Sequence, residues 1–185
     1  MSPKGRFTRR EFMVAAGIVA VGSSVSCGKL IGPWRSLTAD EANTLASLCG
    51  QIIPEDHDLG AVSAGVVNYI DIQLAGHFKK LKGIYRRGIA ELNVRCIEKY
   101  GSAFGNLSDA QQVEFLTAID SSKSARDSVL QKFFWIVVEH TMQGFYGDPR
   151  HGGNRDRASW AMLRLPYPPI RGRFREELKA AGTRV

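Results

Sequence analysis

Residues 125–145 read ARDSVLQKFFWIVVEHTMQGF. Val129, Leu130, Phe133, Phe134, Ile136, Val137 and Met142 recur there at three- and four-residue spacing, the period of a helix with one buried face. This spacing predicts a helix from Ala125 to Phe145, and its apolar content predicts that the helix is central. No stretch of the chain alternates Val, Ile and Thr between hairpin turns, so strands are not required anywhere. The expected fold is therefore all-α.

Working upstream, Ser108-Asp109-Ala110-Gln111 is a capping box that opens a helix with Val113, Phe115, Leu116 and Ile119 inward. Before it, Phe78, Leu81, Ile84, Tyr85, Ile89, Leu92, Cys96 and Ile97 hold a helical period from His77 to Tyr100, with Gly101 as its cap. Lys79, Lys80, Lys82, Arg86 and Arg87 read as the solvated face of that helix. Val62, Val66, Val67, Tyr69, Ile70, Ile72 and Leu74 mark a shorter helix ending near Gly76. Thr38-Ala39-Asp40-Glu41 is a second capping box, and Leu45, Leu48, Cys49, Ile52 and Ile53 follow it until Pro54 stops the run. The acidic stretch Glu55-Asp56-His57-Asp58 reads as a solvated loop whose carboxylates favour the positive end of the next helix. The sum is one small domain, a bundle of five to six helices with a long ordered loop segment at its C-terminal end.

Length and composition agree. The 185 residues suffice for one domain, and 44% hydrophobic with 23% charged residues is an ordinary globular balance. Cysteines at 27, 49 and 96 form neither CxxC nor CxxCH, which excludes tetrathiolate zinc, thioredoxin-type chemistry and covalently attached haem. No GxGxxG turn is present either, and no cofactor is expected in this chain.

Of the net charge of +7, +3 lies in the N-terminal segment. Lys4, Arg6, Arg9 and Arg10 precede the uncharged run Met13–Val25, a basic region followed by an apolar segment too short for a permanent membrane span. Within it, Thr8-Arg9-Arg10-Glu11-Phe12-Met13 resembles the twin-arginine export motif, carried by Thr8, Arg9, Arg10 and Phe12. Residues 1–26 are read as the signal peptide. Their removal takes away four basic residues and one acid and leaves +4, which withdraws most support from nucleic-acid binding. Cys27 after Ser24-Val25-Ser26 resembles a lipoprotein processing site, with Ser24 standing where Leu is usual. Lipidation of Cys27 and an ordinary cleavage site both remain open. Residues 27–36 form a linker, 37–170 the helical domain and 171–185 a basic tail.

The most informative segment is 144–169, GFYGDPRHGGNRDRASWAMLRLPYPP. It is dense in turn-forming residues yet holds Phe145, Tyr146, Trp160 and Tyr167, more large side chains than a solvated loop would keep. Gly152 and Gly153 allow positive φ or close backbone approach, and Asp148-Pro149 sets a turn. Asn154, Arg155 and Asp156 either clamp the loop internally or face a partner. Phe145, Tyr146, Asp148, Arg150, Gly152, Gly153, Asn154, Arg155, Asp156 and Trp160 thus form either a brace or a docking surface. Nine basic residues against three acidic ones in 150–185 suit a partner with an acidic surface.

Gly144-Phe145-Tyr146-Gly147-Asp148-Pro149, followed by Gly152-Gly153-Asn154-Arg155-Asp156 and Trp160, resembles the signature of the gluconate 2-dehydrogenase subunit 3 family. The similarity covers roughly residues 36–168. The resemblance implies a small, cofactor-free and non-catalytic subunit of a periplasmic dehydrogenase at the inner membrane. Its implied partners are a large FAD-dependent subunit that oxidises a sugar or sugar acid and a haem c cytochrome subunit as electron acceptor. The small subunit would support maturation and export of the large one through the Tat translocase, with membrane association through the complex or through lipid on Cys27. Two other readings compete: a free-standing periplasmic lipoprotein or binding module, and an enzyme using Glu139, His140, Asp148 and His151. Against the enzyme, adjacent Glu139 and His140 on a helix point about 100° apart. Cys49 and Cys96 sit on apolar helix faces, where a mutual disulfide, buried free thiols, or a bond to a partner chain are all allowed.

Overall fold

The computed structural model describes residues 34–124 and 128–165. Thr8, Arg9, Arg10, Phe12, Cys27, most of the linker and the tail 171–185 lie outside the described residues. Those described form six α-helices and no strand: α1 Ala39–Ile52, α2 Val66–Ala75, α3 Lys82–Tyr100, α4 Asp109–Ser121, α5 Ser128–Tyr146 and the short α6 Ala158–Met162.

Both capping boxes form. Thr38 Oγ1 accepts from the Glu41 amide at 3.2 Å while the Glu41 carboxylate accepts from the Thr38 amide at 2.8 Å. Ser108 and Gln111 make the same reciprocal pair, so α1 and α4 begin at the positions their sequences dictate. α5 is the central helix. Its Leu130, Phe133, Phe134, Val137 and Phe145 are buried, and it packs against α1, α2, α3 and α4.

Several expectations need correction. The second helix starts at Val66 rather than near Val62, because residues 61–65 form a turn closed by Gly65 at φ +75°. The acids of the 55–58 loop are exposed and none sits in the first turn of α2, so they do not serve its positive end. The helix expected from His77 is a 3-10 turn at Lys79–Leu81 leading into α3. Val113, Ile97 and Val129, read as inward, are 40, 52 and 57% exposed. On α4 the buried neighbour is Gln112, whose amide donates to the Phe104 and Leu107 carbonyls at 3.0 and 3.1 Å. The segment after α5 is not all loop, since it ends in α6.

Cys49 and Cys96 are buried free thiols, which corrects the disulfide alternative. Cys49 Sγ accepts a hydrogen bond from Thr141 Oγ1 on α5 at 3.3 Å. Burial pushes the Cys49 thiol up to about 12 and that of Cys96 up to about 11, so both behave as small apolar core groups.

A buried carboxylate ties the start of the domain to α2. Asp71, 2% exposed, accepts from the backbone amides of Arg35 and Ser36 at 2.8 Å and of Leu37 at 3.0 Å.

Candidate functional site

The site is the loop that leaves α5 and crosses α2. α5 ends at Gly144-Phe145-Tyr146-Gly147, where two glycines have steric reasons. A Cβ on Gly144 would lie 2.8 Å from the Tyr69 ring, and one on Gly153 would collide with the Gly144 carbonyl. The loop backbone at Gly153 therefore lies against the end of α5, and a side chain there would lift it away, whereas one at Gly144 would push against Tyr69 of α2.

Asp148 opens the next turn. Its carboxylate accepts from the Arg150 amide at 3.0 Å and meets Arg150 Nε at 3.2 Å, while Pro149 begins a 3-10 turn that Gly152 ends at φ +95°. Asn68 of α2 donates to the Gly152 carbonyl at 2.7 Å, and the Arg155 amide donates to the Ala64 carbonyl at 2.9 Å. Two hydrogen bonds thus fasten the loop, one to the first half of α2 and one to the turn that precedes it.

Asn154 is fully buried at φ +43°, and it satisfies both ends of its amide. Nδ2 donates to the Gly147 carbonyl at 2.8 Å, and Oδ1 accepts from the Ser159 amide and hydroxyl at 3.0 and 2.9 Å. Trp160 is 6% exposed and donates from Nε1 to the Tyr146 carbonyl at 3.0 Å. Phe145 is buried as well. Phe145, Gly153, Asn154 and Trp160 therefore brace this chain. Tyr146, Arg150, Arg155 and Asp156 are exposed, with Asp148 and Gly152 between.

Next to the loop lies a groove of about 480 Å³ between α2, α5 and residues 147–151, lined by Tyr69, Phe78, Met142, Tyr146 and the imidazoles of His77 and His151. Behind Phe78 sits His140, one of the acid/base groups of the competing enzyme reading. It is 4% exposed, stacked on Phe78 with centroids 4.2 Å apart and bonded through Nδ1 to the Tyr85 hydroxyl at 2.8 Å. Burial holds its pKa below the usual histidine value, partly countered by Glu139. Glu139 itself is exposed. Asp148 is engaged in its own turn, and His151 lines the groove. Among the described residues no three His, Cys, Asp or Glu side chains gather as a metal-holding group, and no helix is long and apolar enough to cross a membrane.

Two participants escaped the sequence reading. Asn68 and Ser159 are polar residues within helical segments, and only their three-dimensional partners on the loop give them a role. Comparison with curated proteins and with solved structures returns no match. The model of the family described as gluconate 2-dehydrogenase subunit 3 matches residues 39–166, from the first residue of α1 through the end of α6, and so includes the whole loop. That description names a subunit of a dehydrogenase complex, and with most of its length matched this chain belongs to the gluconate 2-dehydrogenase subunit 3 family.

Proposed function

We propose that this chain is a non-catalytic small subunit of a periplasmic flavin-dependent sugar or sugar-acid dehydrogenase, and that it carries the large subunit through the twin-arginine route. The carrying observation is the pairing of the family domain at 39–166 with Thr8-Arg9-Arg10-Glu11-Phe12 ahead of it. Twin-arginine export serves proteins that fold before crossing. A folded-export signal on a chain without recognisable cofactor motifs makes sense when the signal also serves a cofactor-bearing partner. The loop supports the accessory role, because its buried polar groups hold its own fold together instead of converging on a reacting centre. FAD belongs to the partner and haem c to an electron-acceptor subunit in this reading, while Cys27 lipid or the complex itself keeps the assembly at the inner membrane.

Changing Arg9 and Arg10 together to Lys tests it. The expected result is that both this chain and the flavin subunit remain in the cytoplasm on fractionation. Recovery of the flavin-loaded large subunit from the periplasm in that strain would refute the shared signal.

A further inference from the structure

The loop has two faces with different chemistry. Inward, Phe145, Asn154, Ser159 and Trp160 are buried and internally satisfied. Outward, Arg150, Arg155, Asp156, Arg157 and Arg164 are exposed. Asp156 and Arg157 hold φ of +55° and +59°, a region that residues with a Cβ rarely adopt. Such strain persists only where surrounding structure over-determines it. Here Asn154 on one side and the start of α6 on the other fix the backbone, so the exposed charges are displayed in a set order. Over residues 144–165 there are four arginines and two aspartates, one of them paired with Arg150.

The groove beside this edge is different again. Tyr69, Phe78, Met142 and Tyr146 supply its apolar wall, and no Asp, Glu, Lys or Arg lines it. An uncharged side chain fits it. Aromatic, Met and Arg side chains are the residue types enriched at protein interfaces, the first two as pocket walls and the last as the directional contact to carboxylates.

We propose that this loop braces with its inner face and docks with its outer one, receiving an acidic segment of the flavin subunit that seats one apolar side chain in the groove. The inference rests on the accessory-subunit reading and names the surface chemistry of the partner. Charge complementarity selects the acidic segment, and the concave groove, with no Asp, Glu, Lys or Arg in its lining, selects a protruding side chain over a flat lipid surface. Asp156 among the arginines adds a register point that an anionic bilayer would repel.

The test measures binding of the intact chain to the purified flavin subunit, and in a parallel arm to phosphatidylglycerol vesicles. Arg155→Glu with Arg157→Glu should weaken flavin-subunit binding at least tenfold and reduce its salt dependence. Tyr146→Ala should weaken it about as much without changing the salt dependence. Lys79→Glu with Lys80→Glu, on the exposed basic run before α3, should leave it unchanged. Melting of each isolated variant should match the parent. If the charge reversals lower the melting temperature, Arg155→Gln with Arg157→Gln replaces them with a smaller loss of the same kind expected. Parent-like binding by the loop variants overturns the proposal, as does loss only with the Lys79/Lys80 pair, or loss confined to vesicles. Absence of binding by the parent chain overturns the accessory-subunit reading itself, and this proposal with it.

Discussion

Asn154 is the residue on which the loop turns, because one amide holds three separate pieces together: the end of α5 at Gly147, the loop itself, and the start of α6 at Ser159. Asn154→Ala would leave the Ser159 groups and the Gly147 carbonyl without their partner while retaining an unfavourable positive φ, at a cost of about 2–4 kcal/mol. Trp160→Ala removes a buried indole and should cost roughly 3–5 kcal/mol. Both variants should melt below the parent in isolation, before any partner is added; parent-like melting would mean that the inner face is no brace. His140 makes a pH prediction at the same scale. Its folded pKa lies below the unfolded value because burial disfavours the cation. Between the two values the unfolded chain binds the extra proton, so stability is intact above about pH 6.5 and declines as pH falls through and below it. His140→Gln keeps an acceptor near the Tyr85 hydroxyl and should flatten that acid limb in urea titrations from pH 7 to 5. An unchanged slope would assign the limb to other groups.

Among the elements, the crossing of α3 and α5 depends on an absent side chain. A Cβ at Gly88 would run into the ring of Phe133, which in turn meets Tyr85 edge-on at 5.6 Å. Alanine gains about 1 kcal/mol in helix propensity over glycine, yet overpacking a ring held by its own neighbours costs about 1–3 kcal/mol, so Gly88→Ala should destabilise. Phe133→Leu opens room, and the double variant should therefore be more stable than the two single losses added together, a coupling that denaturant unfolding can read. Additive losses would place the two residues apart. Sequence reading reached α1, α4 and α5 because capping boxes and apolar period are local signals carried by the residues that make them. It missed the late start of α2, whose left-handed Gly65 stands in place of a side-chain cap. It also turned Val113 inward where Gln112 is buried, since periodicity counts apolar residues and overlooks a glutamine recruited to hold two carbonyls. The loop was legible as ordered from its aromatic content and glycines. Which of its residues face inward was not, because Asn154 and Arg155 differ only in the partners that α5, α6 and α2 present to them.

At the scale of the whole molecule, α2 is the common anchor: the loop is fastened to its first half through Asn68 and to the turn just before it through Ala64, and the start of the domain to its second half through Asp71. The start of the described domain and the candidate docking edge are thus both held at this ten-residue helix and the turn before it, although they lie over a hundred positions apart in sequence. Asp71 holds three backbone amides with one carboxylate, two of them part-buried and one buried, and Leu37 and Trp34 pack behind that contact. This leading segment precedes the family match at residue 39 but belongs to the folded unit. Asp71→Ala should leave the amides unsatisfied and cost about 2–4 kcal/mol. A chain beginning at residue 38 should lose a similar amount, because it lacks both the amides and the Trp34 and Leu37 packing. The decisive comparison is the combination: once residues 34–37 are gone, Asp71 has no amides to hold, so Asp71→Ala should add little further loss. Hydrogen exchange should show residues 35–37 protected in the parent and unprotected in Asp71→Ala. Full additivity of the two changes, with unaltered protection at 35–37, would mean that Asp71 stabilises α2 alone and that residues 34–37 are not fixed to it.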